Sequence, residues 1–230
     1  MVAVIDSGIN TNASDLENYV IKSTGYRVNS EGFISEFPDI QPNGIHGTAI
    51  ALIIRDICKN VQFISINILD NRLATDSRIM IYAMNEALKL EPDIIHMSLG
   101  TTNWRYRSYI KKIVSTSIEK NIIIVASCKN IGLWSYPASI RGVVRIKSAK
   151  QCEKYKFYKK RGTYYAPFTM IDIDGANEFV TRKMVGTSIA AAYITGHIAN
   201  ILSIEDKKNI KGTLNSLDKK IVKFGESHYD

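Results

Sequence analysis

The stretch Val185-Gly186-Thr187-Ser188-Ile189-Ala190-Ala191-Ala192 places a serine after a Gly-Thr turn and then opens a helix of small residues. Such a serine lies at a helix N-terminus, where unpaired backbone N–H groups and the positive end of the helix dipole stabilise negative charge. Acyl transfer needs this stabilisation, so Ser188 is a candidate nucleophile. Taken alone, the pattern is better explained by Thr187 or Ser188 acting as a helix cap.

Short apolar runs alternate with helical patterns along the 230 residues. Strands are predicted at Val2–Ile5, Val61–Leu69, Asp93–Leu99, Ile122–Ala126 and Gly142–Ile146, and helices from His46, from Asp76 or Ser77, from Trp104 to Lys120, from Ser188, and between Ile204 and Leu217. Tyr155 to Lys183 is predicted as irregular strands and loops. This alternation predicts one α/β domain over residues 1–230, a three-layer, doubly wound, mostly parallel β-sheet with helices on both faces.

The composition is that of an ordinary globular protein with an excess of positive charge. Charged residues make up 23% and hydrophobic residues 45% of the chain, and the formal net charge is +8. Seven basic residues lie between Lys147 and Arg161, where Glu153 is the only acidic residue. No nucleic-acid-binding motif accompanies this segment, so we interpret it as a solvated hairpin rim and expect no nucleic-acid partner.

The cysteines and the first residues favour a cytoplasmic protein. Cys58, Cys128 and Cys152 are odd in number and lack metal-type spacing, which argues against a disulfide framework or a zinc site. The chain opens directly on a strand, without the pattern of an export signal. No apolar run reaches the roughly 18 residues expected of a membrane span.

Five polar segments are predicted to meet at one edge of the sheet. Ligands of an open parallel sheet bind outside the carboxyl ends of its strands. Asp6, Ser98-Leu99-Gly100 and the segment 127–130 each follow a predicted strand, and the helices that begin near His46 and Ser188 start at the same edge.

The residues needed to activate a serine nucleophile are present in Asp6, His46 and Ser188. A serine nucleophile needs an imidazole to take its proton, and the imidazole needs a carboxylate to hold its tautomer. The order Asp, His, Ser and the motifs around these residues resemble those of the subtilisin-like serine peptidase family. The matching motifs are Val2-Ala3-Val4-Ile5-Asp6-Ser7-Gly8-Ile9, His46-Gly47-Thr48-Ala49-Ile50-Ala51 and Gly186-Thr187-Ser188-Ile189-Ala190, with Met97-Ser98-Leu99-Gly100, Tyr136-Pro137-Ala138 and Ala166-Pro167 as further landmarks.

The resemblance implies a substrate groove and an oxyanion site, both with departures from the family pattern. Extended substrate is expected beside Ser98, Leu99 and Gly100, with Ala126, Ser127 and Cys128 also contacting it. The family places Gly-Asn after this strand, whereas this chain reads Ala126-Ser127-Cys128-Lys129-Asn130. Either Asn130, which we favour, or Lys129 therefore occupies the oxyanion-donor position. Cys128 replaces a glycine at the floor of the family's specificity pocket, so the family's substrate preferences do not carry over.

These observations predict an intracellular serine endopeptidase with an acyl-enzyme intermediate, acting on a peptide or protein substrate. We expect no cofactor and no high-affinity metal site, although Asp15 matches a position that ligates calcium in the family. The missing pro-segment, the altered pocket and the basic rim favour a dedicated substrate, such as a precursor peptide whose leader is removed. The alternatives are an inactive pseudoprotease that binds peptides and a nucleic-acid-binding protein.

Overall fold

The computed structural model describes residues 1–12, 16–38, 44–70, 72–129, 134–173, 184–205 and 209–222. Its strands are β1 (Val2–Asp6), β2 (Val20–Val28), β3 (Ile34–Phe37), β4 (Phe63–Asn67), β5 (Ile94–Met97), β6 (Ile123–Ser127), β7 (Val144–Ala149), β8 (Tyr158–Lys160) and β9 (Thr163–Pro167). Its α-helices are α1 (Ile45–Ile57), α2 (Ser77–Lys89), α3 (Arg107–Glu119), α4 (Thr187–Ile204) and α5 (Ile210–Lys219). Two short 3₁₀ helices lie at Glu17–Tyr19 and Trp104–Tyr106.

All nine strands form one sheet in the order β3-β2-β4-β1-β5-β6-β7-β9-β8. The seven strands from β2 to β9 in this order pair in parallel, while the edge strands β3 and β8 pair antiparallel with their neighbours. Every residue of β1, β4, β5 and β6 is buried, as expected for central strands covered on both faces. The predicted doubly wound α/β fold is confirmed.

Two apolar layers enclose the sheet. On one face, α1 and α4 pack over strand residues such as Val4 and Val125, and Leu217 of α5 joins the same cluster. On the other face, α2 and α3 pack over residues such as Ile5 and Ile124. Because side chains alternate along a strand, consecutive residues of each central strand enter opposite layers.

Helix α4 runs through the middle of the first layer and approaches α1 closely. A Cβ atom added at Gly196 would lie 2.8 Å from Ile57 Cδ1 and 2.9 Å from Ile57 Cβ, so only glycine fits at this crossing. The small residues of this helix are buried, with Ala190, Ala191 and Ala192 fully so. The same helix, with 18 residues and a mean hydropathy of 1.2, is the one described helix long and apolar enough to cross a membrane, and 67% of it is buried in the fold.

The structure differs from the sequence-based prediction at both edges of the sheet. The antiparallel pair β2 and β3 lies in a region where no element was predicted, because β2 has exposed or half-buried residues along much of its length and so lacks the continuous apolar run of a central strand. At the other edge, the region predicted as irregular contains the regular hairpin β8–β9. Its turn falls at Arg161-Gly162, where both residues have positive φ.

Candidate active site

A cleft of about 390 Å³ opens at the carboxyl edge of the parallel strands. It is bordered by the ends of β5 and β6 and by the first residues of α2 and α4. Segments 98–100 and 127–129 and the helix start at Ser188 therefore meet here as predicted, whereas Asp6 and His46 are not among the lining residues. Its lining residues are Thr75, Ser77, Met80, Ser98, Leu99, Gly100, Thr101, Thr102, Ser127, Cys128, Lys129, Ser135, Thr187 and Ser188.

Asp6 and His46 form a buried pair beside this edge. His46 Nδ1 lies 2.7 Å from Asp6 Oδ1, and that oxygen also accepts a 2.7 Å hydrogen bond from the Ser7 backbone N–H. The Asp6 side chain is fully buried, and that of His46 is 13% exposed. Asp6 Oδ2 has no hydrogen-bond partner among the described residues, so His46 and Ser7 supply the contacts that offset the buried negative charge.

Glycine after the histidine allows α1 to approach the end of β1. A Cβ atom added at Gly47 would lie 2.3 Å from the Gly8 carbonyl oxygen, a distance no side chain tolerates. The Gly47 N–H instead donates to Ser7 Oγ at 3.1 Å, which fixes the first turn of α1 against the residue after Asp6. The dipeptide His46-Gly47 therefore places the imidazole within reach of the carboxylate.

Burial and pairing shift the pKa values of this pair in opposite directions. Burial raises the pKa of Asp6, but the charge of His46 and the hydrogen bonds from His46 and Ser7 outweigh burial and hold this pKa below its usual 3.8. Burial lowers the pKa of His46, but the carboxylate of Asp6 outweighs it and raises this pKa above 6.5. Asp6 thus stays ionised at neutral pH and favours a protonated His46.

Ser188 lies in the first turn of α4. The preceding Gly186 has a φ of 115°, a conformation that favours glycine, and its N–H donates to the Phe168 carbonyl at 2.7 Å. Ser188 Oγ donates to the Ser98 carbonyl oxygen at 3.3 Å. In this structure the hydroxyl is thus bonded to the groove segment rather than to His46.

His96 ties the groove segment to α4 beneath the cleft. This fully buried imidazole bonds Thr195 Oγ1 through Nδ1 at 2.8 Å and Ser98 Oγ through Nε2 at 2.7 Å. Burial lowers the pKa of His96 to about 4, so it is neutral at physiological pH. His96 is therefore a packed, hydrogen-bonded residue of the core. Sequence reasoning missed Thr195, although its spacing of seven residues from Ser188 corresponds to two turns on one helix face.

The predicted substrate and oxyanion residues occupy different environments. Ser98, Leu99, Gly100, Ser127, Cys128 and Lys129 line the cleft. Ala126 is instead fully buried in the apolar layer with α2 and α3. Asn130 and Asp15 lie outside the described residues. The hydroxyls of Thr75, Ser77 and Ser135, which also line the cleft, were not predicted. The helix start predicted at Asp76 or Ser77 is the signal that could have found the first two, because helices that follow strands of a parallel sheet begin at its carboxyl edge.

Metal ligation has no evident place in the described part of the chain. Within those residues, no group of three or more histidine, cysteine, aspartate or glutamate side chains could hold a metal ion. The described side chains that line the cleft carry mainly hydroxyls, together with the Cys128 thiol and the Lys129 amine.

Comparisons with known proteins agree with this arrangement. The Subtilase family model matches residues 1–222. The major intracellular serine protease of Bacillus subtilis (strain 168) is 26% identical over 223 residues, which cover 90% of this chain and 69% of that relative. The crystal structure of a lanthipeptide protease superposes with a TM-score of 0.72 at 18% identity, over 98% of this chain and 80% of that one. The nisin leader peptidase from Lactococcus lactis has a TM-score of 0.70 at 17% identity, over 93% and 80% of the two chains.

The match over nearly the whole chain defines the class of protein. The chain belongs to the Subtilase family and is, by family, a subtilisin-like serine protease, a hydrolase.

Proposed function

We propose that this chain is an active serine endopeptidase in which Ser188 is the nucleophile, His46 the general base and Asp6 the residue that orients His46. The observation that carries the proposal is the buried 2.7 Å contact between Asp6 and His46. Asp6 ends the parallel strand β1, so this pair lies at the same carboxyl edge of the sheet as the cleft lined by Ser188. Ser188 Oγ attacks the scissile carbonyl while His46 takes its proton. His46 then returns that proton to the leaving amine, and water hydrolyses the acyl-enzyme by the same steps.

The resting hydrogen bond from Ser188 to the Ser98 carbonyl is compatible with this role. Catalytic hydrogen bonds are often long or misaligned without substrate and tighten when it binds. Substrate extended beside Ser98, Leu99 and Gly100 would add a strand through main-chain hydrogen bonds. We infer that it takes over the Ser98 carbonyl and releases the Ser188 hydroxyl toward His46. Gly100 itself cannot carry a side chain, because an added Cβ would lie 2.7 Å from the Tyr136 carbonyl oxygen.

The oxyanion is expected to bind the Ser188 backbone N–H, which lies in the first turn of α4, and one further donor, Asn130 or Lys129. We favour Asn130. Removing the true donor lowers kcat by about 10²–10³-fold with little change in KM, because the donor bonds only the transition state. Steady-state kinetics of Asn130→Ala and Lys129→Ala therefore identify it. A loss of less than threefold in both variants would contradict an oxyanion role for either side chain.

The pH dependence follows from the raised pKa of His46. A general base must be neutral, so kcat/KM falls as the pH drops through that pKa, and the midpoint of the acid limb lies above 6.5.

The free energy of unfolding depends on pH in a different way. The lowered pKa of Asp6 contributes stability above pH 3.8, and the raised pKa of His46 contributes it below pH 6.5, so the pair stabilises the fold most between these values. A pH–rate profile and urea unfolding at matched pH test both; an acid limb centred below pH 6 would contradict the assignment of His46.

The competing function is a pseudoprotease that binds peptides without cutting them. It is favoured by the Ser188 hydroxyl bonded to Ser98 rather than to His46, and by Cys128 and Lys129 in place of the family's Gly-Asn. A fluorophosphonate probe decides between the two functions. Labelling of the wild type at Ser188, located by mass spectrometry and lost in Ser188→Ala, supports the enzyme; absence of labelling in folded protein supports the binder.

We further propose that the substrate is a dedicated intracellular precursor peptide from which a leader is removed. The motive is the altered pocket together with the fold similarity to a lanthipeptide protease and to the nisin leader peptidase, and the relative from Bacillus subtilis is an intracellular protease. A proteome-derived peptide library should give few cleavages that share a common motif. Broad degradation of unrelated unfolded proteins would overturn this proposal.

A further inference from the structure

Strands β7, β8 and β9 present a cationic surface on the side of the sheet opposite α4. In β7 and β9, residues such as Ile146 and Tyr164 point into the layer with α4. Their neighbours point to the opposite side because side chains alternate along a strand. We call this opposite side, made of Arg145, Lys147, Tyr158, Lys160 and Tyr165, the cationic face. Register supports the grouping, since Lys147 pairs with Tyr165, and Tyr165 pairs with Tyr158.

The cationic face combines positive charge with a flat aromatic surface. Lys147 is exposed and makes no ion pair with any described residue. The rings of Tyr158 and Tyr165 stack with centroids 4.9 Å apart and an angle of 4° between their planes. Arg145 is anchored by a 3.0 Å hydrogen bond from its Nε to the Ala138 carbonyl, so its guanidinium is held in place before any partner arrives.

This face begins at the wall of the cleft. The Cys128 N–H donates to the Ile146 carbonyl at 2.8 Å, which places the cleft-lining Cys128 beside β7. The charges of Arg145 and Lys147 act on the Cys128 thiol and oppose the rise that burial causes in its pKa. Neighbouring strands lie about 4.8 Å apart, so the face extends roughly 14 Å from the cleft wall to β8, the span of about four extended residues.

The charged side chains of the cleft lining and of the neighbouring cationic face are all positive. Among the described residues that line the cleft, Lys129 is the only charged side chain, and the rest of the polar lining consists mainly of hydroxyls. Arg145 and Lys147 lie on β7, the strand next to β6, and carry the same sign of charge as Lys129. A second copy of this chain is a poor partner, since two chains of net charge +8 repel each other.

We propose that the cationic face binds an acidic stretch of the same polypeptide that is cut at the cleft. Aspartate and glutamate side chains pair with Lys147 and Arg145, while apolar parts of the stretch lie on the stacked tyrosines. The proposal rests on the proposed function and adds to it a class of substrate: peptides with several carboxylates within a few residues of the cleaved bond.

Two pairs of peptides that share one cleavage sequence test the proposal. In each pair, one peptide carries a tract of four aspartates or glutamates and the other carries four serines in its place. The tract lies before the cleaved bond in one pair and after it in the other. We expect the wild type to cleave one acidic peptide about threefold to tenfold more efficiently than its neutral counterpart at low salt, with the preference shrinking as salt rises. Lys147→Glu loses this preference and favours a matching peptide with a lysine tract.

A control variant separates a local effect from a change in net charge. Lys22 is also exposed but lies on β2, near the opposite edge of the sheet, so Lys22→Glu makes the same substitution and should keep the preference for the acidic peptide. Equal rates on both peptides by the wild type, or equal losses in both variants, would overturn the proposal. The proposal would also be wrong if the cationic face bound nucleic acid instead. In that case an oligonucleotide would bind the wild type but not Lys147→Glu, and the acidic tract would leave the cleavage rate unchanged.

Binding and chemistry are measured separately, so that the two proposals can fail independently. Fluorescence anisotropy of a labelled acidic peptide reports on the cationic face whether or not a bond is cut, and fluorophosphonate labelling reports on Ser188. If the wild type binds the acidic peptide, Lys147→Glu does not, and neither reacts with the probe, the proposed enzymatic function is wrong and the proposed role of the cationic face stands. If Ser188 is labelled but the acidic peptide does not bind preferentially, the enzymatic function stands and the role of the cationic face is wrong.

Discussion

Ser188→Ala is expected to lower kcat by about 10⁶-fold on a cleavable peptide, a magnitude known for subtilisin itself, a member of this family. Without the hydroxyl, no acyl-enzyme forms, and the remaining rate comes from binding and from oxyanion stabilisation of direct attack by water. KM should change little, because Ser188 contributes a hydroxyl rather than a binding surface. Initial rates, corrected by active-site titration for contaminating protease, measure the loss.

The matched control is Ser115→Ala, which removes an exposed hydroxyl on α3. Its kcat should equal that of the wild type. If Ser188→Ala retained more than about one per cent of wild-type kcat, Ser188 would not be the nucleophile, and His46 would not be its general base.

Asp6→Asn has the second largest expected effect, a fall in kcat of about 10⁴-fold. An amide has nearly the shape of the carboxylate but no charge, so it neither holds the His46 tautomer nor stabilises the imidazolium that forms during attack. The pKa of His46 should also fall, because the carboxylate is what raises it. The acid limb of kcat/KM therefore moves to lower pH in this variant, which a pH–rate profile of the residual activity measures.

A second aspartate provides the comparison. Asp218 on α5 accepts hydrogen bonds from Lys159 and Tyr164, yet it lies away from the cleft. Asp218→Asn should affect the unfolding free energy and leave kcat and the acid limb in place. An Asp6→Asn protein with the wild-type acid limb would show that Asp6 does not control the charge of His46.

The central strands, the helices and their common edge were predictable because burial on two faces leaves continuous apolar runs such as Ile122 to Ala126. Local signals also fixed the start of α2, where Asp76 accepts from the Arg78 N–H at 2.7 Å as a cap should. The edge strands were less predictable. In β2 one face is partly solvated, so lysine, serine and threonine interrupt its pattern and hide the strand.

The candidate site shows the same division. Asp6, His46 and Ser188 stand in local motifs that can be recognised along the chain. The bond from Ser188 to the Ser98 carbonyl, the link from His96 to Thr195 and the cationic face depend on register between distant strands and on a helix crossing. No local pattern encodes those distances. The segment from Lys147 to Arg161 could be predicted as a basic hairpin rim, but only the pairing of β7 with β6 places the charge of Lys147 beside the cleft.

The close crossing of α1 and α4 at Gly196 also bears on how the molecule folds. More than half of the chain separates His46 from Ser188, and the strands between their helices join the sheet out of chain order. Contacts so distant in sequence carry a large loop-closure entropy and form slowly. A partly folded chain therefore contains no complete candidate site, and the proposed function implies that the chain cannot cut before it has folded. For a protease, this coupling protects neighbouring chains that are still folding and are themselves the most vulnerable substrates.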